Sequence, residues 1–222
     1  MNSEATLEST NSFSIRKTLY FIIKRLFDII CSLIGCVFLL PIAIIVKISY
    51  VLNKDYASIF FSQDRIGKNG KTFKFYKFRS MVVDADEVLK EILKNDKEAR
   101  KEYKLNKKFK NDPRITKMGK ILRRTSLDEL PQLVNVLKGD MSLIGNRPYL
   151  PREKEDMGQY FDAIVKTKPG LTGYWQVNGR SNTTFEERLK LEEYYSNHAR
   201  LKMDIKILFK TVYVLLFHKG AE

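Results

Sequence analysis

The sequence predicts an α+β protein: a single, mostly helical domain with a small β-sheet, preceded by one membrane-length helix. Three observations carry this. Ile29 to Val46 is an apolar run without a charged residue. Ser58 to Gln63 and Phe73 to Phe78 are short aromatic-rich runs around Gly67-Lys68-Asn69-Gly70, which reads as strand, loop and strand. Most of what remains has helical periodicity. A chain of 222 residues suffices for one proper core plus a membrane element.

Residues 1–18 form a polar N-terminal tail, in which Met1 to Ser14 is expected to be disordered. Residues 19–52 hold the apolar segment, whose roughly 18 uncharged positions reach the lower limit for spanning a bilayer. No small-residue cleavage site follows it, so a secretory signal fits poorly. Pro41 lies inside this segment, removes a backbone donor and predicts a kink. Arg16, Lys17, Lys24 and Arg25 precede the run and Lys47, Lys54, Arg65 and Lys68 follow it, which favours both ends on the cytoplasmic side. By these residues alone, a spanning helix and a re-entrant hairpin are both open, because many spanning helices contain proline. Asp28, at the segment's edge, is placed to pair with Arg25 three residues earlier.

Residues 53–200 form the body. In the second strand Phe73, Phe75 and Phe78 are expected to face a core, which leaves Lys74, Lys77 and Arg79 around the strand end, either as a basic edge that discourages aggregation or as a place to hold phosphate. Val82 to about Lys108 is rich in Lys, Glu and Asp, with Val83, Val88, Leu89 and Ile92 at helical spacing, and reads as an exposed helix pair. Its Asp84-Ala85-Asp86 resembles a metal-binding D-x-D, but residues two apart on a helix point away from one another, so a solvated face is expected. Pro169 to Gly173 reads as a turn, Tyr174 to Val177 as a strand, and Asn178-Gly179-Arg180 as another turn. Trp175 is expected in the core. Residues 201–222 end the chain with an apolar segment, Leu201 to Phe217, in which Lys202, Lys206 and Lys210 form one stripe; this predicts an amphipathic helix in the headgroup plane.

Forty Lys and Arg against 26 Asp and Glu give a net charge of +14, which calls for an acidic partner. No zinc-finger spacing, basic zipper or RNA-binding aromatic signature occurs, so nucleic acid is not the expected partner; anionic lipid headgroups are. Cys31 and Cys36, both in the apolar run, fit neither a redox nor a metal spacing and read as free thiols. His198 and His218 lie near the C-terminus with no nucleophile beside them, which argues against a Ser-His-Asp hydrolase.

The candidate chemistry lies in Thr125 to Leu133, where adjacent Asp128 and Glu129 follow Arg123 and Arg124. Ser126-Leu127-Asp128-Glu129 also fits the S-x-x-E capping box of a helix start, where acidic residues complement the helix dipole without doing chemistry. Other blocks follow: Lys138 to Pro148 (KGDMSLIGNRP), Lys168 to Gly173 (KPGLTG) and Gln176 to Arg180 (QVNGR).

With Gln63-Asp64-Arg65-Ile66-Gly67, Tyr76 to Met81 (YKFRSM) and Asn111 to Thr116 (NDPRIT), these blocks make the chain resemble the bacterial sugar transferases, the monotopic phosphoglycosyl transferases that act on polyprenyl phosphate. The likeness runs from about Lys24 to Phe217. It implies a re-entrant membrane helix bent at Pro41 and a catalytic domain on the cytoplasmic face of the bacterial inner membrane. It implies transfer of a sugar 1-phosphate from a UDP-sugar to undecaprenyl phosphate, with UMP released, as the first membrane step of exopolysaccharide, capsule, O-antigen or glycoprotein glycan synthesis. Downstream glycosyltransferases are then further partners.

On the same resemblance Asp128 is the nucleophile that forms an aspartyl phosphosugar, Glu129 holds Mg2+ with Asp128 as a second ligand, Arg123 and Arg147 contact phosphates, and Lys77 and Arg79 belong to the surround. The chain looks like the hexose branch, with UDP-galactose or UDP-glucose as donor, and like the minimal catalytic form, without a large multi-span N-terminal region. It departs from the family at Asn146-Arg147-Pro148, where Pro-Arg-Pro is usual; losing the first proline frees a backbone dihedral and restores an N–H. Two rivals stay open: a glycosyltransferase that moves only the sugar and releases UDP, and a non-catalytic scaffold bound to anionic membrane.

Overall fold

The computed structural model describes the backbone at residues 2–106, 109–179 and 183–217. Arg180 and His218 therefore lie outside the described residues, as do the last two positions of the expected helix pair. Helix α1 (Asn2–Leu52) contains Pro41 and remains helical on both sides of it; its backbone is helical from Asn2, where the polar composition predicts disorder. Over Lys17–Leu52 it is long and apolar enough to cross a membrane by length and composition, and only 11% of its most apolar window, of mean hydropathy 3.0, is buried. That exposure is unlike a core helix of a soluble protein.

Strands β1 (Phe60–Ile66) and β2 (Thr72–Phe78) form a hairpin, with β1 shifted two to three residues along from the expected run. Helices α2 (Ala85–Asn95), α3 (Lys97–Asn106), α4 (Lys117–Arg124) and α5 (Gln132–Lys138) follow, then strand β3 (Ser142–Ile144), short helices α6 (Lys154–Met157) and α7 (Phe161–Ile164), strand β4 (Gly170–Thr172), and helices α8 (Tyr174–Asn178), α9 (Phe185–His198) and α10 (Leu201–Phe217). The chain divides into two compact units.

The first unit comprises residues 1–37, 63–75 and 132–222. Strands β3 and β4 pair in parallel, Ser142 opposite Gly170 and Ile144 opposite Thr172, and the intervening helices supply the crossover that a parallel pair requires. Glycine is needed here because the backbones touch: a Cβ on Gly170 would lie 2.1 Å from the Gly145 nitrogen. This corrects the sequence reading twice. The expected turn at Pro169 to Gly173 contains a strand, and the expected strand at Tyr174 to Val177 is helix α8, closed by Val177 N–H donating to Gly173 O and Gly179 N–H to Trp175 O. The β-propensity of Tyr, Trp and Val is overridden by tertiary context.

Polar contacts fasten the first part of α1 to this unit. Lys24 and Tyr20 donate to Asp204 Oδ2, and Tyr195 donates to Asp204 Oδ1. Arg25 donates to the Val136 and Leu137 carbonyls at 2.6 and 2.7 Å, satisfying the C-terminal end of α5. Asp28 is buried and accepts from Ser142 Oγ and Leu143 N–H; it takes these two donors in place of the expected Arg25 pair. The apolar core gathers Tyr149, Met157, Ile164 and Leu189 around Ile66, with further clusters at Phe75–Val136–Met141 and Ile144–Tyr195–Ile207.

The second unit comprises residues 38–62 and 76–131. Val46, Tyr50, Ile59, Phe78 and Leu122 form its core. Thr116 caps α4, its Oγ1 accepting Gly119 N–H at 2.9 Å. A Cβ on Gly119 would lie 1.9 Å from Ser80 O, so α4 packs on the chain after β2 at backbone contact. In α2, Val88, Leu89 and Ile92 are half-buried, Val83 before it is 64% exposed, and Asp84 and Asp86 are both exposed.

Candidate active site

The acidic pair sits in the second unit, just after α4. Thr125 ends that helix, its hydroxyl donating to Ile121 O at 2.8 Å. Ser126 then takes a left-handed conformation, φ +56°, which costs a non-glycine residue about 1 kcal/mol. Its side chain makes no cap bond, so the S-x-x-E capping box read at Ser126 does not form. Leu127–Glu129 make a single 3-10 turn that buries Asp128 and leaves the Glu129 side chain 40% exposed.

Lys77, near the end of β2, reaches both carboxylates: its ammonium lies 2.9 Å from Glu129 Oε1 and 3.5 Å from Asp128 Oδ2. Burial pushes the Asp128 carboxyl up from the usual aspartate range; Lys77 and Arg123 pull it down and the Glu129 charge pushes it further up. Arg123 itself is exposed and anchored through Nε to Ser80 Oγ at 2.9 Å. Two residues from Lys77, Arg79 points elsewhere. Its guanidinium donates to both oxygens of Asp55 at 2.9 Å and to the Ser58 carbonyl at 2.7 Å, and it lies 4.4 Å from the centre of the Tyr50 ring. Asp55 is held below the usual carboxylate range by this fork.

Four acidic residues are buried among the described residues: Asp28, Asp128, Glu192 and Asp204. Asp28 and Asp204 each accept from two or more donors, and Glu192 accepts the Arg147 N–H on one oxygen and is pushed up to about 7 by burial, which favours its neutral form. Asp128 accepts only from Lys77, at the long limit. A buried carboxylate without saturating donors is costly to keep as structure and is a recurring mark of a functional site.

Mg2+ is typically held by one or two carboxylates, with substrate phosphates and water completing its shell. Asp128 and Glu129 supply two adjacent carboxylates, and a cationic nitrogen already lies against both, so the pair suits a cation. No group of three or more His, Cys, Asp or Glu side chains converges among the described residues.

Arg147 belongs to the first unit. Its backbone N–H donates to Glu192 Oε1 at 3.0 Å, and its guanidinium lies 5.8 Å from the Trp175 ring, on which Arg188 also stacks at 4.7 Å. Trp175 is half-buried and donates to Thr183 Oγ1 at 2.7 Å. Asn146, where the family usually has proline, is buried, and its amide donates to Ser196 Oγ at 2.6 Å and to the Ile164 carbonyl at 3.2 Å. The lost ring is replaced by side-chain ties.

The structure thus brings Lys77, Asp128 and Glu129 together, sets Arg123 close enough to act on Asp128, and engages Arg79 with Asp55. The sequence reading missed Glu192, whose signal is Leu189, Glu192 and Tyr195 at three-residue spacing on one buried face of α9. It also missed Asp55 and Ser80, for which spacing offers no signal.

The model of the family described as bacterial sugar transferase matches residues 19–218. This chain belongs to the bacterial sugar transferase family. Among its relatives in that family, the undecaprenyl-phosphate galactose phosphotransferase of Salmonella typhimurium is 46% identical over 90% of this chain and 41% of its own length. The UDP-glucose:undecaprenyl-phosphate glucose-1-phosphate transferase of Escherichia coli is 35% identical over 90% of this chain and 41% of its own. The exopolysaccharide production protein ExoY of Sinorhizobium fredii is 38% identical over 89% of this chain and 87% of its own. The chain therefore spans about four-tenths of the length of several curated sugar transferases it matches.

Proposed function

We propose that the chain moves a sugar 1-phosphate from a UDP-sugar to undecaprenyl phosphate and releases UMP. The observation that carries this reading is Asp128: a buried, under-coordinated carboxylate beside Glu129, reached by Lys77, in a chain of this family. Asp128 attacks the sugar-bearing phosphorus of the donor; the new carboxyl–phosphoryl bond forms as the bond to UMP breaks. A phosphate oxygen of undecaprenyl phosphate then attacks the same phosphorus and the Asp128 carboxylate leaves.

Charge on the phosphoryl oxygens is met by Arg123, whose fork suits two-point contact with phosphate, and by Lys77, which can exchange its carboxylates for donor oxygens. Arg79 supports the surround by bracing the chain after β2 against Asp55. Arg147 is retained as a phosphate contact on the resemblance. Glu129, with Asp128, would hold Mg2+, which when bound supplies Lewis-acid neutralisation of phosphate charge.

The names of the relatives favour galactose or glucose as the sugar, and exopolysaccharide or capsule assembly as the setting. Helix α1 is proposed to enter the inner membrane and return at Pro41, so that both flanks and the catalytic residues stay on the cytoplasmic face. Helix α10 is proposed to lie at the interface: Lys202, Lys206 and Lys210 are exposed along one stripe and Phe209, Val212 and Tyr213 are exposed on and beside the same face, where long lysine stems can carry their ammonium groups to headgroups while the apolar surface meets lipid.

The test is nucleotide release by nanodisc-held protein given Mg2+, undecaprenyl phosphate and a panel of UDP-sugars. UMP release with UDP-galactose or UDP-glucose is expected. Release of UDP would establish sugar-only transfer, and no release with any donor would favour the scaffold reading.

A further inference from the structure

We propose that Arg25, Lys68 and Lys168 form a binding site for the phosphate of an anionic membrane lipid, with a role beyond the transfer reaction. All three belong to the first unit. Lys168 is set rigidly: it precedes Pro169, whose carbonyl accepts Ser142 N–H at 2.8 Å, and a Cβ on Gly145 would lie 2.3 Å from the Lys168 carbonyl. Its ammonium lies 3.4 Å, and Arg25 Nη2 3.5 Å, from the point a Cβ would occupy on Gly139. Two cations thus flank one glycine.

Asp28 and Asp140 offset part of this charge, but neither forms an ion pair or hydrogen bond with Lys168. Asp28 accepts from Ser142 and Leu143, while Asp140 lies 3.6 Å from Lys138 and accepts from the Asn135 amide. The Lys168 amine has no hydrogen bond or ion pair among the described residues, and it is half-buried. Burial first, then the Arg25 charge and more weakly that of Lys68, hold it below the usual lysine range. Arg25 spends two donors on the α5 carbonyls and has five, so it can still meet an oxyanion. Cations brought together with donors to spare and no direct ion pair to Lys168 are what a phosphate can engage.

The position identifies the source of the phosphate. Lys68 lies 5.6 Å from the centre of the Phe21 ring, on the membrane-length helix, and Phe21, Ile22 and Leu26 there are 44%, 53% and 55% exposed. Exposed apolar side chains beside a cation cluster, just before the uncharged run, set the cluster at headgroup depth. A lipid can fill the apolar surface with its chains and the cations with its phosphate at once; free phosphate can fill only the second.

The experiment counts phospholipid retained by detergent-held full chain in native mass spectrometry, titrating phosphatidylglycerol against phosphatidylcholine, with inorganic phosphate as competitor. Wild type is expected to hold one phosphatidylglycerol in preference to phosphatidylcholine. Lys168→Met and Lys68→Met should each weaken it about five-fold, with Lys168→Arg close to wild type. Lys68 is exposed, so its variant keeps the fold and remains informative if Lys168→Met does not fold. Equal retention of the two lipids, retention unchanged in Lys68→Met, or displacement of the lipid by millimolar phosphate would each overturn the proposal.

Discussion

The carboxylates of the two units are held differently, and the difference is what the proposed chemistry rests on. In the first unit Asp28 joins α1 to β3, Asp204 gathers Tyr20, Lys24 and Tyr195, and Glu192 accepts the Arg147 N–H. Asp28 and Asp204 are tethers whose donors explain their burial, while Glu192 has one donor and is buried with its carboxyl pushed up to about 7. In the second unit the half-buried Asp55 and Asp112 are engaged by the forks of Arg79 and Arg114. Asp128 is as inaccessible as the tethers yet meets only one lysine, which it shares with Glu129. What sets Asp128 apart from Glu192, which is also short of donors, is a second carboxylate and a shared cation beside it, and this is what the proposed chemistry uses.

The largest expected effect follows from that contrast. Asp128→Asn should reduce UMP release at least about a thousandfold with the fold intact in circular dichroism, because no structural hydrogen bond beyond the Lys77 contact is lost. Asp28→Leu, which strands the Ser142 hydroxyl and the Leu143 N–H, should instead unfold or destabilise the protein. If the two variants behaved alike, the distinction between tether and site would fail.

Lys77 and Arg79 sharpen the comparison over two residues of chain. Lys77→Met should cost on the order of a hundredfold in kcat and, because it strands buried Asp128, should lower Tm as well. Arg79→Met should cost about 3 kcal/mol of stability, since it strands Asp55, and its residual folded fraction should retain near-normal turnover. Paired urea titrations and steady-state rates separate these outcomes.

Glu192 offers a pH test of a buried carboxyl. Burial pushes its carboxyl up to about 7, above its unfolded value, so the folded state binds the proton more tightly. Stability should therefore be greatest below the ordinary glutamate range, decline as pH rises through about 7, and level off above it. Thermal melts from about pH 5 to pH 8 should show that decline, and Glu192→Gln should flatten it. The smallest effect is at Ser126: replacing it with glycine relieves the left-handed backbone and should stabilise the second unit by up to about 1 kcal/mol.

Much of this was legible in the sequence where a pattern has period or order. The charge-free run announced α1, the aromatic runs announced the hairpin, and Leu201 to Phe217 coincides with α10. The acidic pair could be singled out because several blocks stood in family order around it. Local signals failed where tertiary contact decided. The S-x-x-E at Ser126 forms no capping box, whereas Thr184-Phe185-Glu186-Glu187, unread, forms one: Glu187 N–H donates to Thr184 Oγ1 at 3.2 Å and Thr184 N–H to Glu187 Oε2 at 2.8 Å. Gly170 looked like a turn residue and serves backbone contact between β3 and β4. The engagement of Arg79 by Asp55, 24 residues away in the chain, leaves no trace in spacing.

The central claim, that Asp128 becomes covalently phosphorylated by the donor, is tested most directly by isotope exchange. Protein is incubated with labelled UMP, the unlabelled UDP-sugar that supports turnover and Mg2+, without undecaprenyl phosphate. A covalent intermediate predicts label appearing in the UDP-sugar pool with wild type and none with Asp128→Asn. Robust UMP release in the presence of lipid, without any exchange in its absence, would contradict the account and assign Asp128 to a direct-transfer mechanism.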